Sequence, residues 1–205
     1  MATIINAKTS AGGLAITPDT SGVIEFQSAG TTKAGVNGTG LTGDGSQLTG
    51  LPAGGKIAQI LSTTKTDTFS TTSFTFVDVT GLTVTITPAA TASKIYVMLS
   101  ISGGGMSGYR YQLVRDSTAI AIGTGSIGSR VAGSGGGSNR NYDEVDNACA
   151  NFLDSPSTTS ATTYKVQFST GAGSTDSKVN ATRNDPDSTT GFRTASTITV
   201  MEVSA

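Results

Sequence analysis

Residues 82–88 read Leu-Thr-Val-Thr-Ile-Thr-Pro, and this strict alternation constrains the chain more than any other feature. A two-residue period puts Leu82, Val84 and Ile86 on one face and Thr83, Thr85 and Thr87 on the other. That is the pattern of a half-buried β-strand, and Pro88 stops it. The texture recurs at 57–61, 74–79, 94–102, 109–114, 118–123, 163–169, 178–182 and 196–204. In 94–102, Ile95, Val97, Leu99 and Ile101 align, with Tyr96 and Met98 opposite, so both faces are candidates for cover. Asp116-Ser117 between 109–114 and 118–123 is expected to turn a hairpin. No segment has a helical period, strong helix formers are scarce and β-branched residues abound. The expected fold is all-β, with roughly eight or nine strands closing as an antiparallel, jelly-roll-like sandwich over 56–205.

Residues 1–37 differ. Short apolar snatches at 3–5, 13–17 and 23–26 are separated by turn-forming pairs such as Pro18-Asp19 and Ser21-Gly22. Strands this short offer one or two apolar side chains per face and need partners, of which copies of the same chain are the nearest. The segment is expected to be a slender attachment arm. A glycine-rich stretch, 38–55 (GTGLTGDGSQLTGLPAGG), follows as a connector. It contains G-x-G-x-x-G at Gly38, Gly40 and Gly43, and a second match falls at Gly123, Gly125 and Gly128. A dinucleotide turn requires a helix behind the glycines, and neither match has one, so both are read as chance in a Gly/Ser/Thr-rich chain.

Composition removes several functions. The net charge is −1 with 13% charged residues, too weak a basic field for a nucleic-acid backbone or an anionic membrane surface. Histidine is absent, which removes the commonest general base and metal ligand. The single cysteine, Cys149, allows no disulfide within a chain and is expected to be a small buried hydrophobe. MATIINAKTSAGG at the N-terminus has no charged region followed by an apolar one, so no secretory leader is expected, nor any inserted span. Expression in a bacterial cytoplasm is consistent with that.

Two long irregular stretches, 132–148 and 183–193, concentrate Arg, Asn, Asp and an aromatic residue in a chain otherwise short of charge. Long loops are either solvated connections or contact surfaces, and this composition is that of adaptable binding surfaces. Asp143, Glu144 and Asp146 in one loop, or Asp185 and Asp187 in the other, could chelate calcium, but no repeat supplies the six to eight oxygens a tight site takes. Nothing selects a carboxylate pair for glycoside hydrolysis. No enzyme activity, cofactor or metal is expected.

The wording GLAITPDTSGVIEFQSAGTTKAGVNGTGLTGDGSQLTGLP, from Gly13 to Pro52, resembles the N-terminal and connector text of tail fibres from tailed bacteriophages. TSFTFVDVTGLTVTITP at 72–88, SKIYVMLSISGG, YRYQLVRDSTAIAIG, DSPSTTSATTYKVQF and the terminal ASTITVMEVSA resemble a fibre-tip domain, of the kind found in cyanophage-like particles. The resemblance covers about Gly13 to Ala205. It implies a homotrimeric virion protein whose N-terminus docks on a tail or baseplate protein and whose tip meets a host surface glycan or protein. The two loops share no wording with that family, so the receptor does not carry over. The candidate contact residues are Asn139, Arg140, Asn141, Tyr142, Asp143 and Glu144 in the first loop. In the second they are Arg183, Asp185, Asp187, Phe192 and Arg193. Tyr142 and Phe192 would stack on sugar rings while the amides and carboxylates meet hydroxyls. The alternatives are a head- or collar-decoration fibre that binds no receptor, and a small carbohydrate-binding or depolymerase tip.

Overall fold

The computed structural model describes residues 24–28, 31–37, 40–43, 56–105, 108–124, 128–138, 143–171 and 176–204, the first three as strand backbones. Every regular element among them is a β-strand, and every pairing is antiparallel. The chain divides into two units, residues 1–52 and 53–205.

In the first unit, β1 (Ile24–Ser28), β2 (Thr31–Asn37) and β3 (Gly40–Gly43) form a three-stranded sheet in that order. The strand expected at 23–26 corresponds to β1. Those expected at 3–5 and 13–17 lie outside the described residues. β3 falls within the glycine-rich stretch, where Gly40 faces Asn37 and Gly43 faces Ala34.

The second unit holds two sheets. The first is built on β7 (Lys94–Gly104). One edge of β7 carries β14 (Ser196–Val203) and, past its end, β13 (Ser177–Val179); the other carries β11 (Asp146–Asp154). β4 (Ile57–Lys65) pairs with β14, and β5 (Phe69–Thr71) with β13. The second sheet is built on β8 (Tyr109–Arg115). β12 (Thr162–Thr170) and then β6 (Val77–Ile86) lie on one side of it, β9 (Thr118–Ile120) and β10 (Gly135–Gly137) on the other.

One cluster lies between the sheets. Ile95, Val97, Leu99 and Ile101 of β7 meet Leu82, Val84 and Ile86 of β6, all buried. Tyr164, Val166 and Phe168 of β12 alternate inward beside Tyr109 and Tyr111 of β8. The rings of Tyr109 and Phe168 stack with centroids 5.2 Å apart. The period-two reading therefore assigns the inward faces correctly, and the arrangement is an all-β unit of two antiparallel sheets sharing a core. The Asp116-Ser117 hairpin is also present, with Asp116 at φ 54°, the left-handed conformation a two-residue turn requires.

Three features depart from the sequence reading. The strands expected at 74–79 and 82–88 are one strand, β6, from Val77. Gly81 at φ 82° lies in the bulge where the register against β12 shifts by three residues, Lys165 facing Thr83 and Gln167 facing Asp78. The stretch 132–148 is only partly irregular, since it contains β10 and the start of β11. In β10, Gly135 and Gly137 lie over the rings of Tyr111 and Tyr109, and a Cβ on Gly137 would sit 2.6 Å from the Tyr109 hydroxyl oxygen. Finally, Cys149 is exposed rather than buried. β11 turns Ala148, Ala150 and Phe152 towards the core, which puts Cys149 on the outer face.

The two buried carboxylates, both beside Ile95 at the start of β7, are paired. Asp154 takes Arg115 Nη1 at 2.8 Å on each oxygen and the Tyr164 hydroxyl at 2.7 Å. Burial, then the neighbouring Asp154, raises the Tyr164 phenol far above its ordinary range. Glu202 accepts Gln59 Nε2 and the Ala89 amide, each at 2.7 Å. Burial opposes ionisation of Glu202, yet its hydrogen bonds from Ser93, Gln59, Ala89 and Ala90 outweigh it and hold the carboxyl below its usual value.

Candidate functional site

The functional candidate lies at the far end of β7, where the two long loops meet. Ser102 of β7 sits directly opposite Asn147 of β11. The segment between β13 and β14 returns past them. Its base is closed by the Thr194 amide donating to the Asn180 carbonyl at 3.2 Å and by a bridge between Ala181 and Arg193. Within it, Asp185 is left-handed at φ 51°, its amide donating to Thr182 Oγ1 at 3.2 Å, and the Gly191 amide donates to the Ser188 carbonyl at 3.1 Å. The segment is thus a hydrogen-bonded arm.

Phe192 is carried on that arm and is 52% exposed. With Ser102, Val145, Asn147 and Thr194 it lines a cleft of about 260 Å³. Asn147 Oδ1 accepts the Ser100 hydroxyl at 3.1 Å and the Cys149 thiol at 3.7 Å, which orients the amide and leaves its Nδ2 as a donor. Thr194 Oγ1 is shielded from solvent and takes no partner among the described residues. A buried hydroxyl without a partner is costly. The cleft combines an aromatic surface and an amide donor, and among the described residues its lining holds no carboxylate. Such a set binds a neutral, hydroxyl-bearing ligand.

A second hollow, of about 370 Å³, lies within the arm itself, lined by Asp185, Pro186, Asp187, Ser188, Gly191 and Arg193. There Arg193 Nη1 is paired with the Asp185 carboxylate. Among the described residues no three Asp, Glu or Cys side chains gather closely enough to hold a metal ion.

The structure sorts the sequence-derived residues as follows. Asn139, Arg140, Asn141 and Tyr142 lie outside the described residues. Asp143 is exposed and Glu144 half-buried, and neither lines the cleft. Asp185, Asp187 and Arg193 come together in the hollow of the arm. Arg183 points elsewhere, its Nε 3.4 Å from Asp176 Oδ1. Among the described candidates, Phe192 alone lines the cleft. Its companions Ser102, Asn147 and Thr194 were not anticipated, because a serine ending a strand and a threonine preceding one carry no local signal. Asn147 lay inside the stretch expected as loop, beside residues of more conspicuous chemistry.

Compared with the family models of known proteins this chain matches none, and it matches no curated protein sequence.

Proposed function

We propose that this chain is a non-enzymatic, homotrimeric tail fibre of a tailed bacteriophage. Residues 1–37 attach it to a tail or baseplate protein, and the end of the sandwich carrying Phe192 binds a neutral glycan of the host surface. The observation that carries the binding role is the cleft itself, whose lining brings Phe192 of one loop together with Asn147 of the other, beside Ser102 and Thr194. Aromatic faces stack on the apolar faces of sugar rings, while amides and hydroxyls fix their orientation. The fibre assignment is supported by the phage-like wording from Gly13 onward and by a strand order that suits a jelly roll. Each strand of one sheet is followed, with short exceptions, by a strand of the other. One shallow cleft binds weakly, and three per fibre raise the avidity without any new contact.

The test is binding of the purified full chain to arrayed bacterial surface glycans, followed by Phe192→Ala. Loss of the aromatic contact is expected to weaken retention at least ~10-fold while the thermal transition stays in place. Unchanged retention by the folded variant would remove Phe192, and the cleft with it, from the account. Immunogold labelling of phage particles tests the location, and label confined to the head would replace the tail assignment with a decoration fibre.

A further inference from the structure

The two outer faces of the sandwich are chemically unlike. On the β6–β12–β8 side, Lys165 Nζ and Gln167 Nε2 bond Asp78 at 2.8 and 2.7 Å, and Gln112 Nε2 bonds Gln167 at 2.6 Å. That is a solvated, cross-linked polar face. The outer face of β4–β14–β7–β11 is nearly without charge. Its cross-strand register forms rows: Ile60, Met201, Tyr96 and Leu153; then Ser62, Thr199, Met98 and Asn151; then Thr64, Thr197, Ser100 and Cys149. At its margin Lys94 donates to Ser155 Oγ at 2.8 Å.

We infer that this face, centred on the row Ile60–Met201–Tyr96–Leu153, is the surface through which one copy of the chain packs on a second copy. The inference deepens the homotrimer part of the reading above, and it does not depend on the glycan cleft. Ile60 is 57% exposed and Leu153 54%, at opposite ends of one row that crosses the whole sheet. Exposed apolar groups scattered singly need no explanation, but a continuous row across four strands does. Edge strands that face water are ordinarily guarded by charges. β4 is an edge, and from Ile57 to Thr64 it carries none.

A second copy suits this face better than a partner of different chemistry. With no charge there is nothing to select an oppositely charged partner, and nothing to repel an identical surface. Three copies about a threefold axis can each turn this face inward, so that one copy's sheet packs on its neighbour's at about the 10 Å spacing of stacked sheets. With the row Ile57, Val203 and Lys94 beyond these, four strands about 4.8 Å apart and four rows about 6.7 Å apart give roughly 500 Å² in projection. Side chains standing off that plane bring the accessible area towards the ~800 Å² per partner of a stable interface. The apolar row lies about 20 Å along β7 from Ser102, so contact centred there leaves the Phe192 cleft at the free end.

The test is sedimentation velocity of the full chain over a wide concentration range, for the wild type, Ile60→Arg, Leu153→Arg and Phe192→Ala. The expected result is an assembled wild type, an assembled Phe192→Ala, and arginine variants whose assembly is weakened ~100-fold or more. Should an arginine variant fail to fold, Ile60→Thr and Leu153→Thr keep the β-propensity and remove only the apolar contact. A wild type that stays monomeric at every concentration overturns the inference. So does an assembled wild type that both folded face variants leave unchanged, since another surface then joins the copies. Loss of glycan binding by Phe192→Ala with assembly intact reports on the cleft alone, so the two readings fail separately.

Discussion

Asn180 is the residue whose replacement tests most sharply how the cleft is held. It is 0% exposed and left-handed at φ 65°. Its Nδ2 donates to the carbonyls of Lys65 at 2.8 Å and Asp67 at 2.9 Å, and its Oδ1 accepts the Ser196 hydroxyl at 2.6 Å. Its backbone amide bonds the Ser102 carbonyl, and its carbonyl takes the Thr194 amide. One side chain thus ties the β4–β5 bend, β13 and β14, beside the base of the arm carrying Phe192. Asn180→Ala removes three hydrogen bonds worth ~1 kcal/mol each, and strands two carbonyls and a hydroxyl. Alanine at positive φ adds ~1 kcal/mol, for a loss of ~4 kcal/mol. In a unit of this size that lowers the melting temperature by ~10 °C. Asn180→Gly loses the same bonds without the backbone strain, and is expected ~1 kcal/mol above alanine. Asn180→Asp keeps the backbone preference but aims a carboxylate at two carbonyl oxygens. It is expected to be the worst of the three at neutral pH and to recover on acidification. Urea unfolding of the three variants at two pH values measures all of this. An Asn180→Ala loss under ~1.5 kcal/mol, or an aspartate variant as stable as the parent, would refute the claim that these bonds close the end of the sandwich.

Two other perturbations follow from the same geometry. Glu202 is held below its ordinary value of 4.5, so its contribution to stability is complete above that pH and is lost as the pH falls through the lower, folded value. Glu202→Gln is expected to flatten the acid limb of a stability–pH curve and to cost ~1–2 kcal/mol at neutral pH, and an unchanged acid limb would exclude Glu202 as its source. Gly104 closes on the base of the arm: an added Cβ would meet the Ala181 carbonyl oxygen at 2.5 Å and the Arg183 amide at 3.1 Å. Gly104→Ala is expected to cost ~2–3 kcal/mol and to weaken Phe192-dependent binding, both read against Gly123→Ala, whose nearest neighbour is an ordinary 3.8 Å away.

The interior was legible because alternation reports directly on which face of a strand is buried. The runs through Leu82, Ile95 and Tyr164 became core strands with one alternating set inward, and the run through Ile198 also became a core strand. β11 was missed because Asp-Asn-Ala-Cys-Ala-Asn-Phe-Leu-Asp is made of turn formers and small residues. It is a strand through nine consecutive pairings with β7, a tertiary cause that overrides local preference. The cleft shared that fate. Phe192 could be picked out as an aromatic in a polar loop, but Asn147 and Ser102 acquire meaning only once β11 is laid against β7. Arg183 looked like a contact residue by composition and instead faces Asp176, a pairing that no sequence spacing announces.

The distribution of buried polar groups separates the two ends of the sandwich by chemistry. Ile95, at the start of β7, is flanked by Glu202 on one side and Asp154 on the other, so both buried carboxyl side chains lie at the same end. At the opposite end, around Ser102, the neutral Asn180, Ser196 and Thr182 are buried beside Lys65, whose ammonium pairs with Asp67 at 2.8 Å. Protonating Glu202 therefore loosens the end away from the cleft, while Asn180 and its neutral partners continue to hold the arm. The pairings of Arg193 with Asp185, Arg183 with Asp176 and Lys65 with Asp67 also lie at this end, and none of these residues is in the described lining of the cleft.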